Sequence, residues 1–223
     1  MKIPDDKTLT ETGLELRGDE ARLLFIACGA LAREIMALIK ANNWTHIDLQ
    51  CLPAIYHVTP AKIIPAVEEL VEKHRDDYAR IFVVYADCGT GGQLEAVCER
   101  LGIDLVPGPH CYSFYEGNDA FAAHADTEVT TFYLTDFLAR QFDAFVWKPL
   151  GLDRHPQLLE MYFGNYEKLV YQAQTEDPAL TEKARDCADR LGLTFERRFT
   201  GYGDLSTILK AQATAMADAK TKA

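Results

Sequence analysis

The sequence holds no run of about 18 consecutive apolar residues, so no segment reads as a membrane-spanning helix. It holds no Cys-x-x-Cys pair, which removes the local signatures of zinc ribbons, thioredoxins and ferredoxins together. Six cysteines in 223 residues are too few for a disulfide scaffold. Basic residues are also short: 23 Lys and Arg against 34 Asp and Glu leave a net charge of −11. That balance argues against nucleic acid or an anionic membrane as partner, since both attract clustered Lys and Arg. The opening twenty residues lack an apolar stretch and carry Asp5, Asp6, Glu11, Glu15 and Asp19, so they do not read as a signal peptide. These absences leave a soluble, cytoplasmic protein as the expectation.

With 48% hydrophobic and 26% charged residues, the chain can build a large core. Apolar runs at 22–27, 47–52, 81–84, 103–106, 168–173 and 194–199 read as strands. Helical spacing separates them: Leu31, Ile35, Leu38 and Ile39; then about 60–74; then Leu94, Val97, Cys98 and Leu101; then about 178–191. A final helix follows the turn 200–205, with Asp204 as its N-cap. This alternation predicts an α/β fold, doubly wound, with a mainly parallel sheet and helices on both faces. Residues 113–165 are rich in aromatics, with helical spacing around 132–142 and 158–163, and read as a helical insertion after the fourth strand. The expected organisation is a loosely held arm over 1–20, a single α/β domain over 21–212 and a tail over 213–223.

The stretch that organises the chain is 83–92, where a buried strand gives way to Asp87-Cys88-Gly89-Thr90-Gly91-Gly92 and then to a helix. A strand, a glycine-rich turn and a helix N-terminus form a site for anions or thiolates, because amides converge there and the helix dipole favours negative charge. On that reading the Cys88 thiol ionises easily. Cys28 ends the first strand and Cys111 lies just beyond the fourth. In open α/β sheets, ligands bind beyond the carboxyl ends of the strands, so three thiols on one rim can converge. A free cysteine alone is commonly a small buried hydrophobe, which is the reading for Cys98 and Cys187. Three at strand ends, two of them as Cys-Gly and one as His-Cys, weigh toward a shared metal site.

Soft thiolates select zinc or iron–sulfur. Three of them with an open position suit a catalytic zinc or a four-iron cluster with one unligated iron. His110, adjacent to Cys111, is a further candidate ligand. Asp87 either orients a ligand or caps the following helix, and capping is favoured. Gly89, Thr90, Gly91, Gly92 and Tyr202 are the other candidate cofactor contacts, with Tyr85, His57, Tyr112 and Asp204 in a second rank.

The segments 27–31, 85–92, 108–112, 132–137 and 201–204 resemble the domain-of-unknown-function family sixteen thirty-eight, over about residues 20 to 210. Genes of that family often lie near corrinoid-dependent methyltransferases for methylated amines. The resemblance therefore implies a corrinoid-linked methyl-transfer or one-carbon context, with a small-molecule substrate or a corrinoid or methyltransferase protein as partner. It assigns no activity and no catalytic residues. The chain has too few strand–helix units for the barrel of zinc methyltransferases, so only ligand chemistry is analogous. Two expectations result. One is a metalloprotein, catalytic or accessory, with Cys28, Cys88, Cys111 and His110 around zinc or an iron–sulfur cluster. The alternative is a metal-free binder of a small molecule or anion, using the glycine-rich loop after Cys88.

Overall fold

Every residue of Leu23–Cys28 is buried, as expected of a central strand with hydrogen-bonded neighbours on both sides. The computed structural model describes residues 4–19 and 22–221 and divides the chain into two compact units. The first runs through Cys111 and resumes from Leu205, and the second is Tyr112–Asp204. The chain is mixed α/β, with one mostly parallel and one wholly parallel sheet. Among the described residues, no helix is long and apolar enough to cross a membrane.

In the first unit the elements run α1 (Asp6–Glu11), β1 (Leu14–Leu16), β2 (Leu23–Cys28), α2 (Ala32–Ala41), β3 (Ile47–Leu52), α3 (Ile63–His74), β4 (Arg80–Val84), α4 (Gln93–Leu101) and β5 (Asp104–Leu105). The sheet order is β1-β3-β2-β4-β5, with only β1 antiparallel to its neighbour. Register puts Ala27 beside both Cys51 and Val84, so β2, β3 and β4 end nearly level. Helix α2 covers the sheet with Ala32, Ile35, Met36 and Ile39 on its buried side.

The second unit holds α5 (Cys111–Glu116), which begins at the unit boundary, then α6 (Asn118–His124), β6 (Thr131–Thr135), α7 (Asp136–Arg140), α8 (Leu158–Phe163), β7 (Lys168–Ala173), α9 (Pro178–Leu191) and β8 (Thr194–Phe199). Its sheet order is β6-β7-β8, all parallel. Helix α9 is sharply bounded: Asp177 accepts from the Ala179 and Leu180 amides, Pro178 starts the first turn and Gly192 closes the end. Leu180, Ala184, Ala188 and Leu191 on α9 pack with Leu134, Leu169 and Tyr171 of the strands as this unit's core.

Three expectations change. Residues 1–20 are not a loose arm where described. Asp5 caps α1 through the Thr8 amide, Leu9 is fully buried, Asp6 pairs with Arg33 at 3.0 Å, and β1 joins the sheet edge. Residues 1–3 and 20 lie outside the described residues. Residues 113–165 are not wholly helical, nor is 21–212 one domain: β6 seeds a second sheet, and β7 and β8 pair with it instead of extending the first. Alternating Thr, aromatic and Leu residues favour a pleated surface over a helix there. The tail is helical as far as it is described, since α10 (Gly203–Thr221) continues into it with Ala213 and Met216 buried; residues 222–223 lie outside the described residues.

Gly29 illustrates how tightly the strand ends are packed. A Cβ there would lie 2.4 Å from the Leu9 carbonyl oxygen, 3.0 Å from that of Leu52 and 3.1 Å from the Ala54 amide nitrogen. Gly29→Ala is therefore expected to push α1 and the turn after β3 away from β2, costing about 1–3 kcal/mol. An unfolding midpoint equal to wild type would contradict this packing.

Candidate functional site

Cys28, Cys88 and Cys111 all belong to the first unit, at the carboxyl side of its sheet. Cys28 is the last residue of β2 and 2% exposed, and the Ala30 amide donates to its sulfur at 3.4 Å. Burial pushes its thiol up to about 11, and that amide and Tyr85 pull the other way. Cys88 follows β4 in a left-handed backbone conformation, φ 48°. A non-glycine residue there stores strain of about 1–3 kcal/mol, and such strain clusters at functional positions. Burial, then the neighbouring Cys111 and Cys28, raise the Cys88 thiol well above its ordinary value.

The expectation of an easily ionised Cys88 is therefore overturned. Desolvation and two neighbouring thiols outweigh the helix N-terminus. The Asp87 carboxylate accepts from the Gly91 and Gly92 amides at 3.1 and 2.7 Å and from the Thr90 hydroxyl at 2.7 Å. These bonds, the Gly92 amide foremost, lower the Asp87 pKa. Gly89, Gly91 and Gly92 all take positive φ, which curls the loop around this carboxylate. The glycine-rich loop thus encloses an anion supplied by the chain itself, which weakens the metal-free anion reading.

Asp87→Asn is expected to cost about 1 kcal/mol of stability near neutral pH. A depressed folded-state pKa means that Asp87 stabilises above its unfolded value of 3.8, with that contribution lost as pH falls through the folded value. The variant should therefore flatten the acid limb of the stability–pH curve. An unchanged limb would contradict the assignment.

Two second-rank candidates turn out to flank the thiols. His57, in the 3₁₀ turn Ala54–Val58 after β3, puts Nδ1 3.7 Å from the Cys28 sulfur, and burial lowers its pKa. Tyr85 is 1% exposed, and its hydroxyl interacts with the Cys28 thiol. Burial raises its pKa well above 10, with Cys28 and Cys88 adding to the shift. His110 is exposed on the bend before α5, so the imidazole brought to Cys28 is that of His57. Tyr202 lies in the turn after β8, within the second unit. Cys98 and Cys187 are helix-borne core residues, with thiols pushed by burial to about 11.

Among the described residues, no three His, Cys, Asp or Glu groups are gathered closely enough to hold an ion as they stand. Cys28 closes β2, Cys88 lies in the loop between β4 and α4, and Cys111 begins α5. A cleft of about 480 Å³ in the same unit is lined by Asp87, Gly92, Leu94, Glu95 and the segment 105–109, and by none of the three cysteines. The sequence profile of the family described as "Protein of unknown function (DUF1638)" matches residues 51–209. The chain belongs to this family. The matched span includes His57, Cys88, His110 and Cys111 and begins after Cys28. No curated protein and no solved structure matches the chain.

Proposed function

We propose that this family member is a cytoplasmic metalloprotein whose first unit binds zinc or an iron–sulfur cluster through Cys28, Cys88 and Cys111. What supports the reading is the placement of the thiols: Cys28 closes β2, Cys88 follows β4 in a left-handed backbone conformation, and Cys111 and Cys28 both add to the burial that raises the Cys88 thiol. Lone thiolates are costly in such a place, and a bound cation removes that cost while fixing all three as thiolates. The order β1-β3-β2-β4-β5 reverses between β2 and β4. With right-handed crossovers that order gives a doubly wound sheet with helices on both faces. Its ligand crevice would lie beyond β2 and β4, at Cys28 and Cys88.

The cleft walled by Leu94, Val106 and Pro107 offers room for a small molecule. A part in corrinoid-linked methyl transfer or one-carbon metabolism, as enzyme or as accessory protein, is the role the family resemblance implies. The partner would then be a small-molecule substrate or a corrinoid or methyltransferase protein. Protein prepared without oxygen, with zinc and iron supplied, is expected to carry about one zinc or one four-iron cluster per chain. Chelation should lower its melting temperature. Protein free of both metals, with a melting temperature indifferent to chelator, would overturn the proposal.

A further inference from the structure

We propose that the second unit binds a small organic phosphate, a phosphomonoester, in the cleft between α9 and the turn that follows α7. The inference is independent of the metal reading. In a chain of net charge −11, this cleft of about 430 Å³ is lined by four cations, Arg140, Lys148, Lys183 and Arg190, against two carboxylates, Asp143 and Asp186. The imbalance leaves two positive charges, which a phosphomonoester at about −1.5 to −2 near neutral pH matches. Phe142 and Ala144 add an apolar wall for the organic part.

The fold builds the cleft from two walls. Lys183, Asp186, Cys187 and Arg190 recur at helical spacing on α9 and so share one stripe of it. After α7 ends at Arg140, the chain turns through a π-helical stretch, Asp143–Trp147. Phe142 and Val146 there are buried in the same core as Cys187 and Ala188 of α9. That shared core clamps the turn against the helix and leaves the charged side chains to line the cleft.

Two of the cations are held in place before any ligand arrives. The Arg190 guanidinium lies over the Trp147 and Phe142 rings, 4.2 and 4.9 Å from their centroids, and pairs with Asp143 at 2.7 Å. Stacking fixes the plane of the fork, whose remaining N–H groups suit a bidentate phosphate. Lys183 Nζ donates to the Arg140 carbonyl oxygen at 2.9 Å, which restrains its long side chain. Groups fixed in advance lose little freedom on binding. Compensation of helix dipoles is the competing account, since Arg140 and Arg190 occupy last turns. It leaves out Lys148, which belongs to neither helix and whose ammonium pairs with no carboxylate among the described residues. A polyanion such as nucleic acid is disfavoured by the net charge of −11, whereas a compact dianion meets the local cations alone.

Trp147 reports on the cleft through its contact with Arg190. The full chain in a Trp44→Phe background is titrated with phenyl phosphate and with inorganic phosphate at constant ionic strength, by emission and by calorimetry. Phenyl phosphate is expected to bind saturably, at least about tenfold more tightly than inorganic phosphate, because its ring adds apolar contact. Lys148→Glu and Arg190→Lys should each weaken that binding at least about tenfold. Lys148→Glu should keep the wild-type melting temperature, so the test holds even if lost stacking in Arg190→Lys perturbs folding. Full affinity in the folded Lys148→Glu protein would overturn the proposal. So would the absence of both heat and emission change up to about 10 mM phenyl phosphate. Equal affinity for the two phosphates would contradict the place given to an organic part. Binding of a poly-glutamate peptide with no response to phenyl phosphate would assign the cleft to an acidic protein partner and equally overturn the proposal.

Discussion

Cys28→Ser, Cys88→Ser and Cys111→Ser are expected to share one defect, each keeping less than about a tenth of the metal bound by wild type. The shared loss follows from the mutual influence of the three thiols, since Cys88 is shifted by both of the others. Serine has nearly the same shape but a far harder oxygen that stays protonated at neutral pH, so each variant removes one soft ligand. Cys98→Ser and Cys187→Ser serve as controls, because both residues lie in helix cores away from the strand ends. They should keep full metal while losing about 1–3 kcal/mol from a buried hydroxyl. Metal content and melting curves on the five proteins check this. Loss in Cys88→Ser alone would point to a single reactive thiol.

Asp136→Ala is expected to destabilise the second unit by about 3–5 kcal/mol, since each buried donor left without an acceptor costs about 1–3 kcal/mol. Asp136 starts α7 and is 1% exposed. Its carboxylate accepts from the Tyr171 hydroxyl at 2.7 Å, the Gln174 amide at 3.0 Å and the Thr175 hydroxyl at 2.6 Å. One side chain therefore ties the end of β6 to the end of β7, and alanine strands three donors at once. Asp136→Asn keeps one acceptor oxygen and should cost roughly half as much. Trp147 lies in the second unit and Trp44 in the first, so urea unfolding of a Trp44→Phe background reads the second unit by fluorescence. An unchanged midpoint in Asp136→Ala would contradict the role given to this carboxylate.

Six strands could be read from the sequence, most plainly the continuous apolar runs 23–28 and 81–84, which are buried from both sides. β6 was harder, because its Phe132 and Leu134 run on without a break into Phe137 and Leu138 of α7. The aromatics keep a helical spacing across that junction and conceal the change of period. Its β-branched ends, Thr131 and Thr135, were the available signal, and Thr135 caps α7 through the Leu138 amide. β1 is only three residues long and owes its place to pairing with β3, which no local pattern encodes.

At the site, the position of Cys28 at a strand end was legible from spacing, whereas Cys88 lies in the loop after β4 and Cys111 begins α5. Their environments were not legible: Cys28 is buried, and Cys88 and Cys111 are half-buried. The occupation of the Gly91 and Gly92 amides by Asp87 was not legible: a helix cap was expected, whereas Gly92 is the N-cap of α4 without a side-chain bond and the Asp87 carboxylate closes the loop before the helix. His57 lies far from any cysteine motif in sequence, and only the register of β2 on β3 brings it to Cys28.

X-ray absorption at the zinc edge of the metal-loaded protein tests the central claim most directly. Three sulfurs at about 2.3 Å are the predicted protein ligands. A shell of oxygen and nitrogen alone would contradict the thiol site.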